Sequence, residues 1–151
     1  MTLTPRRLKK LVSYRERLEQ VQEGKLAIAQ RAHRERERSL ADTRALRESL
    51  FATGAPANGT FEPADLERGL AYVGRLEREI AATNAALVHS ATAVAFERDE
   101  LLIRRRDRKA METLLDREQE FQRRTELREE QKALDEVALR GWPSRTNGRE
   151  V

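Results

Sequence analysis

Apolar residues recur every seven positions along the second half of the chain. The series consists of Leu66, Val73, Ile80, Leu87, Val94 and Leu101, returns at Leu115 after an interruption at Arg108, and is accompanied at the alternating position by Leu70, Leu76 and Ala91. Two apolar positions in each heptad form the stripe along which the helices of a coiled coil pack. The pattern therefore predicts a long α-helix that buries one narrow face against another helix.

The first half of the chain carries a second apolar stripe, with intervals of three, four and seven residues. It runs through Leu11, Tyr14, Leu18, Val21, Ile28 and Ala32 and then drifts through Leu40, Leu46 and Leu50. These intervals are typical of one face of an α-helix. The drift predicts that the helix pair is locally unwound or looser at that point.

A segment rich in glycine and proline separates the two predicted helices. Residues 54–63 hold two Gly and two Pro, which cannot continue a helix. Thr4-Pro5 has the form of an N-cap followed by proline at the first helical position, and Gly141 shortly precedes a proline. These features predict one domain over residues 1–151, with helix 1 at about 5–52, a loop at 54–63, helix 2 at about 64–140 and a frayed tail at 141–151.

The predicted fold class is all-α: two long helices that form an antiparallel coiled-coil hairpin, with the second helix longer and overhanging. A loop centred near residue 58 would pair Tyr14 with Leu101, Val21 with Val94 and Ile28 with Leu87. Helix 2 would then have no partner from about residue 111 onward. Because helices draw most of their stability from packing, this overhang predicts a partner that covers its apolar residues, which are Met111, Leu114, Leu115, Phe121, Leu127, Leu134 and Val137.

Composition limits the classes of function. Charged residues make up 37% of the chain, and 30 Lys or Arg stand against 26 Asp or Glu, a net charge of +4. This balance is typical of helix surfaces with both signs interspersed and argues against a nucleic-acid-binding protein. The chain has no cysteine and no run of 18 apolar residues, which excludes disulfides, thiolate metal sites and a membrane span. Its first ten residues lack the apolar region of a secretory signal, so the predicted location is cytoplasmic.

No cluster of residues in the sequence suits catalysis or metal binding. His33 lies in a run of charged residues, which predicts a solvated face, and His89 is predicted to be a boundary residue of the seam. The glycines of the 54–63 segment lack the lysine of a phosphate-binding loop. No nucleophile, base and orienting group are placed together. The prediction is a protein without enzymatic activity, cofactor or metal.

Two groups of basic residues are candidates for binding a partner. The first is Arg6, Arg7, Lys9 and Lys10, and the second is Arg104, Arg105, Arg106, Arg108 and Lys109. The predicted pairing of the helices would bring both groups to one level of the hairpin. Either they form a solvated helix surface, or they dock into an acidic partner through charge complementarity.

The C-terminal part of helix 2 resembles a known family. An Arg-rich stretch at 105–117 is followed by an ending formed by Gln131, Lys132, Leu134, Asp135, Glu136 and Ala138. This order is similar to that of the FliJ family, the small stalk proteins of the flagellar type III export apparatus. The length of the chain and its single break near one third also fit that family.

The resemblance implies a cytoplasmic, non-enzymatic stalk or adaptor, peripherally associated with the export apparatus at the inner membrane. Its implied partners are the ring of the flagellar export ATPase, the export gate and export chaperones. The ring would contact both basic groups together with Gln131, Lys132, Leu134, Asp135 and Glu136, and no residues are assigned to the gate. Two alternatives remain open: the stalk of a virulence-type secretion system, and a general coiled-coil scaffold that self-associates through its overhang.

Overall fold

The polypeptide forms two long α-helices in a computed structural model that describes residues 4–53, 59–60 and 62–141. Helix α1 covers Pro5–Thr53, which is 49 residues, and α2 covers Pro63–Gly141, which is 79 residues. The described residues contain no β-strand, and the predicted all-α class is confirmed. Most of the predicted loop, and the predicted tail beyond Gly141, lie outside the described residues.

Each helix begins at a proline, as the N-cap features predict. The carbonyl of Thr4 accepts hydrogen bonds of 2.9 and 3.0 Å from the backbone N–H groups of Arg7 and Leu8, and the carbonyl of Glu62 accepts two in the same way. Proline at the first position costs no helical hydrogen bond, since its missing N–H would have had no partner in the helix. Asp65 adds a favourable negative charge to the first turn of α2, whereas the first turn of α1 has no acidic residue.

The chain divides into two compact units, which are described separately. The hairpin unit covers Arg17–Arg106 and contains the connection between the helices. The terminal unit combines Met1–Glu16 with Asp107–Val151. The expectation of one domain over residues 1–151 stays a prediction.

The two helices of the hairpin unit run antiparallel. Their contacts join Gln22 to Glu97, His33 to Ser90, and Arg47 to Glu77, in that order along α1. The partners on α2 therefore descend in number as those on α1 ascend, which is the arrangement of a helical hairpin.

The face of α2 that packs in the hairpin unit is the one that its heptad pattern predicts. Ile80 and Leu101 are buried, and Val73, Leu87 and Val94 are half-buried. At the alternating position, Leu76 is also buried, as expected for the second residue of each heptad. The prediction fails near the start of the helix, where Leu66 and Leu70 are exposed, and at Ala91, which is exposed as well.

The face that α1 turns towards α2 includes Leu40 of the predicted stripe, which is buried, but not the three residues for which pairs were predicted. Val21 and Ile28 remain 58% and 68% exposed, and Tyr14 is exposed too. The three predicted pairs that these residues were to form are therefore wrong. Gln22, one residue further along, is only 5% exposed. A shift of one residue turns a helix by about 100°, so this part of the predicted stripe faces away from the seam.

Polar side chains occupy the seam because they find partners within it. The Nε2 group of Gln22 donates to the backbone carbonyl of Glu97 at 3.1 Å and also to the carboxylate of that residue. The hydroxyl of Thr43 donates to the carbonyl of Ser39 at 2.9 Å. Among the described residues, no buried side-chain nitrogen or oxygen lacks a hydrogen bond. Burial of these groups is tolerated since a satisfied polar group avoids most of the desolvation cost.

The terminal unit contains a packed part and an unpacked part of α2. Leu8 of α1 is buried, Met111 and Leu115 of α2 are half-buried, and Arg15 forms an ion pair of 3.2 Å with Asp107. From residue 120 to residue 141, every residue of α2 is exposed. The predicted overhang thus begins later than residue 111, because half-buried residues of α2 continue as far as residue 119.

Candidate partner-binding surfaces

The first basic group lies at the start of α1 and is open to a partner. Arg6, Arg7, Lys9 and Lys10 are all exposed. Within the described part of the chain, none of these four side chains forms a hydrogen bond or an ion pair. Positive charge in the first turn opposes the helix macrodipole, and no acidic residue in that turn offsets it. An acidic partner at this position would remove the unfavourable interaction.

The second basic group is partly occupied by contacts within the protein. In the hairpin unit, the guanidinium of Arg105 lies 3.3 Å from a carboxylate oxygen of Glu19 and 3.0 Å from one of Glu23. In the terminal unit, Arg108 donates to Glu112 at 2.6 Å. Acidic residues of α1, and not the first basic group, therefore lie opposite Arg105. The predicted meeting of the two basic groups at one level stays a prediction.

The remaining members of the second group are available. The structure records no ion pair or hydrogen bond for the side chains of Arg104, Arg106 or Lys109 in the range that it describes. Arg106 and Lys109 are exposed, and Arg104 is half-buried. The sequence pattern does not distinguish the five basic residues of this group from one another. The structure divides them into residues engaged in ion pairs, with Arg105 paired across the two helices and Arg108 paired within α2, and residues for which it records no pair among the described residues.

Reversal of charge at Arg105 and at its neighbour Arg106 should change the stability of the protein by different amounts. We expect Arg105→Glu to lower the free energy of unfolding by about 1 kcal/mol, because it places like charges near Glu19 and Glu23. The same change at Arg106 should cost less than about 0.5 kcal/mol, the usual range for a surface substitution. Urea unfolding followed by circular dichroism measures both values. Equal effects of the two substitutions would contradict the assignment.

The exposed end of α2 carries an apolar stripe of its own. This C-terminal stripe consists of Leu127, Gln131, Leu134 and Ala138, which follow one another at intervals of four, three and four residues and share one face of the helix. All four are exposed. Because they repeat with helical periodicity, a single partner surface could cover them together.

The C-terminal stripe is not a continuation of the seam. Steps of seven from Leu115 lead to Gln122, Glu129 and Glu136, all polar and exposed. The helix here is supported by ion pairs one turn apart, such as Glu120 with Arg124 at 2.9 Å and Glu136 with Arg140 at 4.0 Å. Of the other predicted site residues in this segment, Lys132 and Asp135 are also exposed. The segment can stay helical while its stripe remains uncovered.

His33 lies in the seam and not on a solvated face, contrary to the prediction. Its Nδ1 atom is 2.7 Å from the hydroxyl of Ser90, and its Nε2 atom is 3.4 Å from a carboxylate oxygen of Glu37. The heptad step from Leu26 through His33 to Leu40 was the pattern that could have revealed this position. His89 is exposed.

The described residues provide neither a metal-binding cluster nor a membrane-spanning helix. No group of three or more His, Asp or Glu side chains is placed to hold a metal ion in the ranges 4–53, 59–60 and 62–141. Within the same ranges, neither helix has a stretch long and apolar enough to cross a membrane.

Comparison with known proteins places these surfaces in a family context. A family model described as flagellar FliJ protein matches residues 5–147, which is most of the chain. No curated protein and no solved structure matches it. The matched range includes both helices and the C-terminal stripe.

Proposed function

Because the chain belongs to the flagellar FliJ protein family, a family of stalk proteins of flagellar type III export, we propose that it docks its terminal unit into the ring of the export ATPase. In this proposal the protein has no catalytic activity of its own. It acts as a stalk that contacts the ring and couples it to the export gate and to export chaperones, on the cytoplasmic side of the inner membrane. The match to a flagellar family favours this role over that of a virulence-type stalk.

The observation that carries the proposal is the uncovered C-terminal stripe. An isolated amphipathic helix is only marginally stable in water, since most helical stability comes from tertiary packing. Residues 120–141 nevertheless form a continuous part of α2 with Leu127 and Leu134 exposed. A partner that covers the stripe would gain roughly 25 cal/mol for each Å² of apolar surface removed from water.

Charge gives the contact its second component. The unpaired Arg6, Arg7, Lys9 and Lys10 of the same unit suit a ring lined with acidic residues. Exposed ion pairs contribute only about 0–1 kcal/mol each. A set of such weak contacts would let a stalk leave one ring subunit and engage the next without crossing a large barrier.

Substitution in the C-terminal stripe tests the docking role. We expect Leu134→Glu to reduce stimulation of the purified export ATPase by at least about tenfold, because it places a charge in the apolar stripe. The matched control is Leu139→Glu. Leu139 is 78% exposed against 69% for Leu134, and it lies about 140° away around the helix, so stimulation should be nearly unchanged. Equal loss in both variants, or in neither, would refute docking through the stripe.

Reversal of the first basic group should affect stability and docking in opposite directions. The double substitution Arg6→Glu with Arg7→Glu places negative charge at the start of α1, where it interacts favourably with the macrodipole. We expect an increase of about 0.5–1 kcal/mol in the free energy of unfolding, measured by urea titration. Stimulation of the ATPase should fall at the same time. Unchanged stimulation in this more stable variant would mean that the first basic group does not contact the ring.

A further inference from the structure

The predicted stripe of α1 that turned out to face solvent forms one half of a larger apolar surface. In an antiparallel coiled coil, the same heptad position on the two helices points to the same side of the pair. Glu23 and Arg105 hold such equivalent positions and meet at 3.0 Å. Val21 and Ile103 each lie two residues earlier. They therefore also hold equivalent positions, and they point to the side opposite that ion pair.

We call this surface the lateral face of the hairpin unit. It contains two g and two c positions from each helix, which are the heptad positions on the side of the seam away from Glu23 and Arg105. They are Leu18, Val21, Lys25 and Ile28 of α1 and Ala93, Phe96, Glu100 and Ile103 of α2. Val21, Ile28, Phe96 and Ile103 are all exposed. Monomeric proteins rarely leave several large apolar side chains exposed on one contiguous surface without a binding role.

The opposite side of the hairpin unit lacks this property at the level of Val21 and Ile103. There, Val88 and Leu102 of α2 are exposed, but the facing part of α1 contributes Glu23, which is engaged with Arg105. Over residues 18–28 of α1 and 93–103 of α2, both helices supply large exposed apolar residues only on the lateral face, whereas Phe51 of α1 and Leu70 of α2, nearer the connection, are exposed on the opposite side. The asymmetry argues for a partner on that side, since an unselected surface would expose its apolar residues without preference.

The charges of the lateral face are complementary to each other. The α1 half carries one charged residue, Lys25, and the α2 half carries one of opposite sign, Glu100, at the equivalent heptad position. Among the described residues, neither side chain forms an ion pair or a hydrogen bond. A face with one basic half and one acidic half is complementary to a second copy of itself.

We propose that the lateral face binds a second copy of this chain, with α1 of each protomer lying on α2 of the other. A two-fold axis parallel to the helices produces this arrangement, and the four helix segments then form a bundle around Val21, Ile28, Phe96 and Ile103. Lys25 of one protomer lies near Glu100 of its partner, and the contact occurs twice.

The alternative two-fold axis, perpendicular to the helices, is disfavoured by charge. It would place α1 on α1 and α2 on α2, so that Lys25 faces the same residue of the second copy and Glu100 does likewise. Like charges across an interface reduce affinity and select against such an arrangement. The dimer is independent of docking at the ATPase ring, because no residue of the terminal unit takes part in it.

Charge exchange on the full-length chain tests the proposal. Sedimentation equilibrium should show a reversible dimer of the unmodified chain at micromolar concentrations. Lys25→Glu alone and Glu100→Lys alone should each raise the dissociation constant by about tenfold, because each creates two like-charge contacts. The double variant, Lys25→Glu with Glu100→Lys, should return the dissociation constant to within about threefold of its original value, since it restores opposite charges.

Two further variants distinguish the lateral face from other modes of association. Arg98→Glu makes the same change of charge as Lys25→Glu, but it lies outside the lateral face on an exposed position with no recorded partner within the described residues. It should leave the dissociation constant unchanged. Leu134→Glu should also have no effect, because the C-terminal stripe lies outside the dimer. Circular dichroism confirms that each variant retains its helices.

Several results would overturn the proposal. A chain that stays monomeric up to high micromolar concentrations has no such interface. A dimer that Leu134→Glu dissociates, while Lys25→Glu leaves it intact, forms through the C-terminal stripe instead. A double variant as weak as the single ones would show that Lys25 and Glu100 do not meet across the interface.

Discussion

Truncation of Leu101 to alanine should lower the free energy of unfolding of the hairpin unit by about 2–4 kcal/mol. Leu101 is 6% exposed and belongs to the heptad series of α2. Removal of a buried leucine loses the transfer free energy of its methyl and methylene groups and leaves a cavity that the neighbouring side chains fill only in part. A pair of helices has little other core to compensate, so the effect should be large compared with its total stability.

The neighbouring Leu102 provides a matched control for this prediction. It has the same side chain in the same helix but is 58% exposed, and Leu102→Ala should change stability by less than about 0.5 kcal/mol. Urea unfolding monitored by circular dichroism, together with thermal unfolding, compares the two variants. A loss at Leu102 as great as that at Leu101 would show that the packed face of α2 has been misassigned.

Replacement of Gln22 by alanine should lower stability by about 2 kcal/mol. The side chain is 5% exposed and donates to both the carbonyl and the carboxylate of Glu97. The substitution removes a hydrogen bond to a charged group, which contributes about 1.5–3 kcal/mol, and also the packing of the buried methylene groups. The exposed Gln20, two residues earlier, should tolerate alanine with little change.

The comparison of Gln22→Ala with Val21→Ala is the sharper test of how α1 is rotated. Hydrophobicity alone predicts that the valine matters more. The structure predicts the reverse, because Val21 is exposed and Gln22 is buried. If unfolding by urea showed a greater loss for Val21→Ala in dilute monomeric protein, the seam would run through the apolar stripe and the observed packing of α1 would be refuted.

Helix α1 has two neighbouring stripes of residues, and either of them could pack against α2. One stripe passes through Tyr14, Val21 and Ile28, and the other lies one residue later and includes Gln22. Hydrophobicity alone favours the stripe with Val21 and Ile28, because it takes into account only the residues of α1. The stripe with Gln22 is the one that packs, because Gln22 donates to Glu97 on α2 and Leu40 of the same face is buried. The partner of Gln22 lies 75 positions away, so the sequence around Gln22 does not show that this side chain is buried.

The residues of the candidate site also fall into two classes: those that the sequence indicates, and those that only the structure distinguishes. The ending with Gln131, Leu134 and Ala138 could be recognised from residue order alone, and its exposure agrees with a surface kept for a partner. The distinction between Arg105 and Arg106 could not be recognised. Two adjacent arginines are equivalent in sequence, and only the position of Glu19 and Glu23 shows that one of them is used within the protein.

The sequence by itself determined the two helices, their starting points at Pro5 and Pro63, the break between them and the packed face of α2. These features depend on local interactions: proline lacks an N–H group, and a regular apolar heptad has one favourable side to bury. The tertiary structure decided the rotation of α1, its register against α2 and the residues left for partners. These depend on which polar groups satisfy one another across the helix pair, and that complementarity exists only once the two helices are in contact.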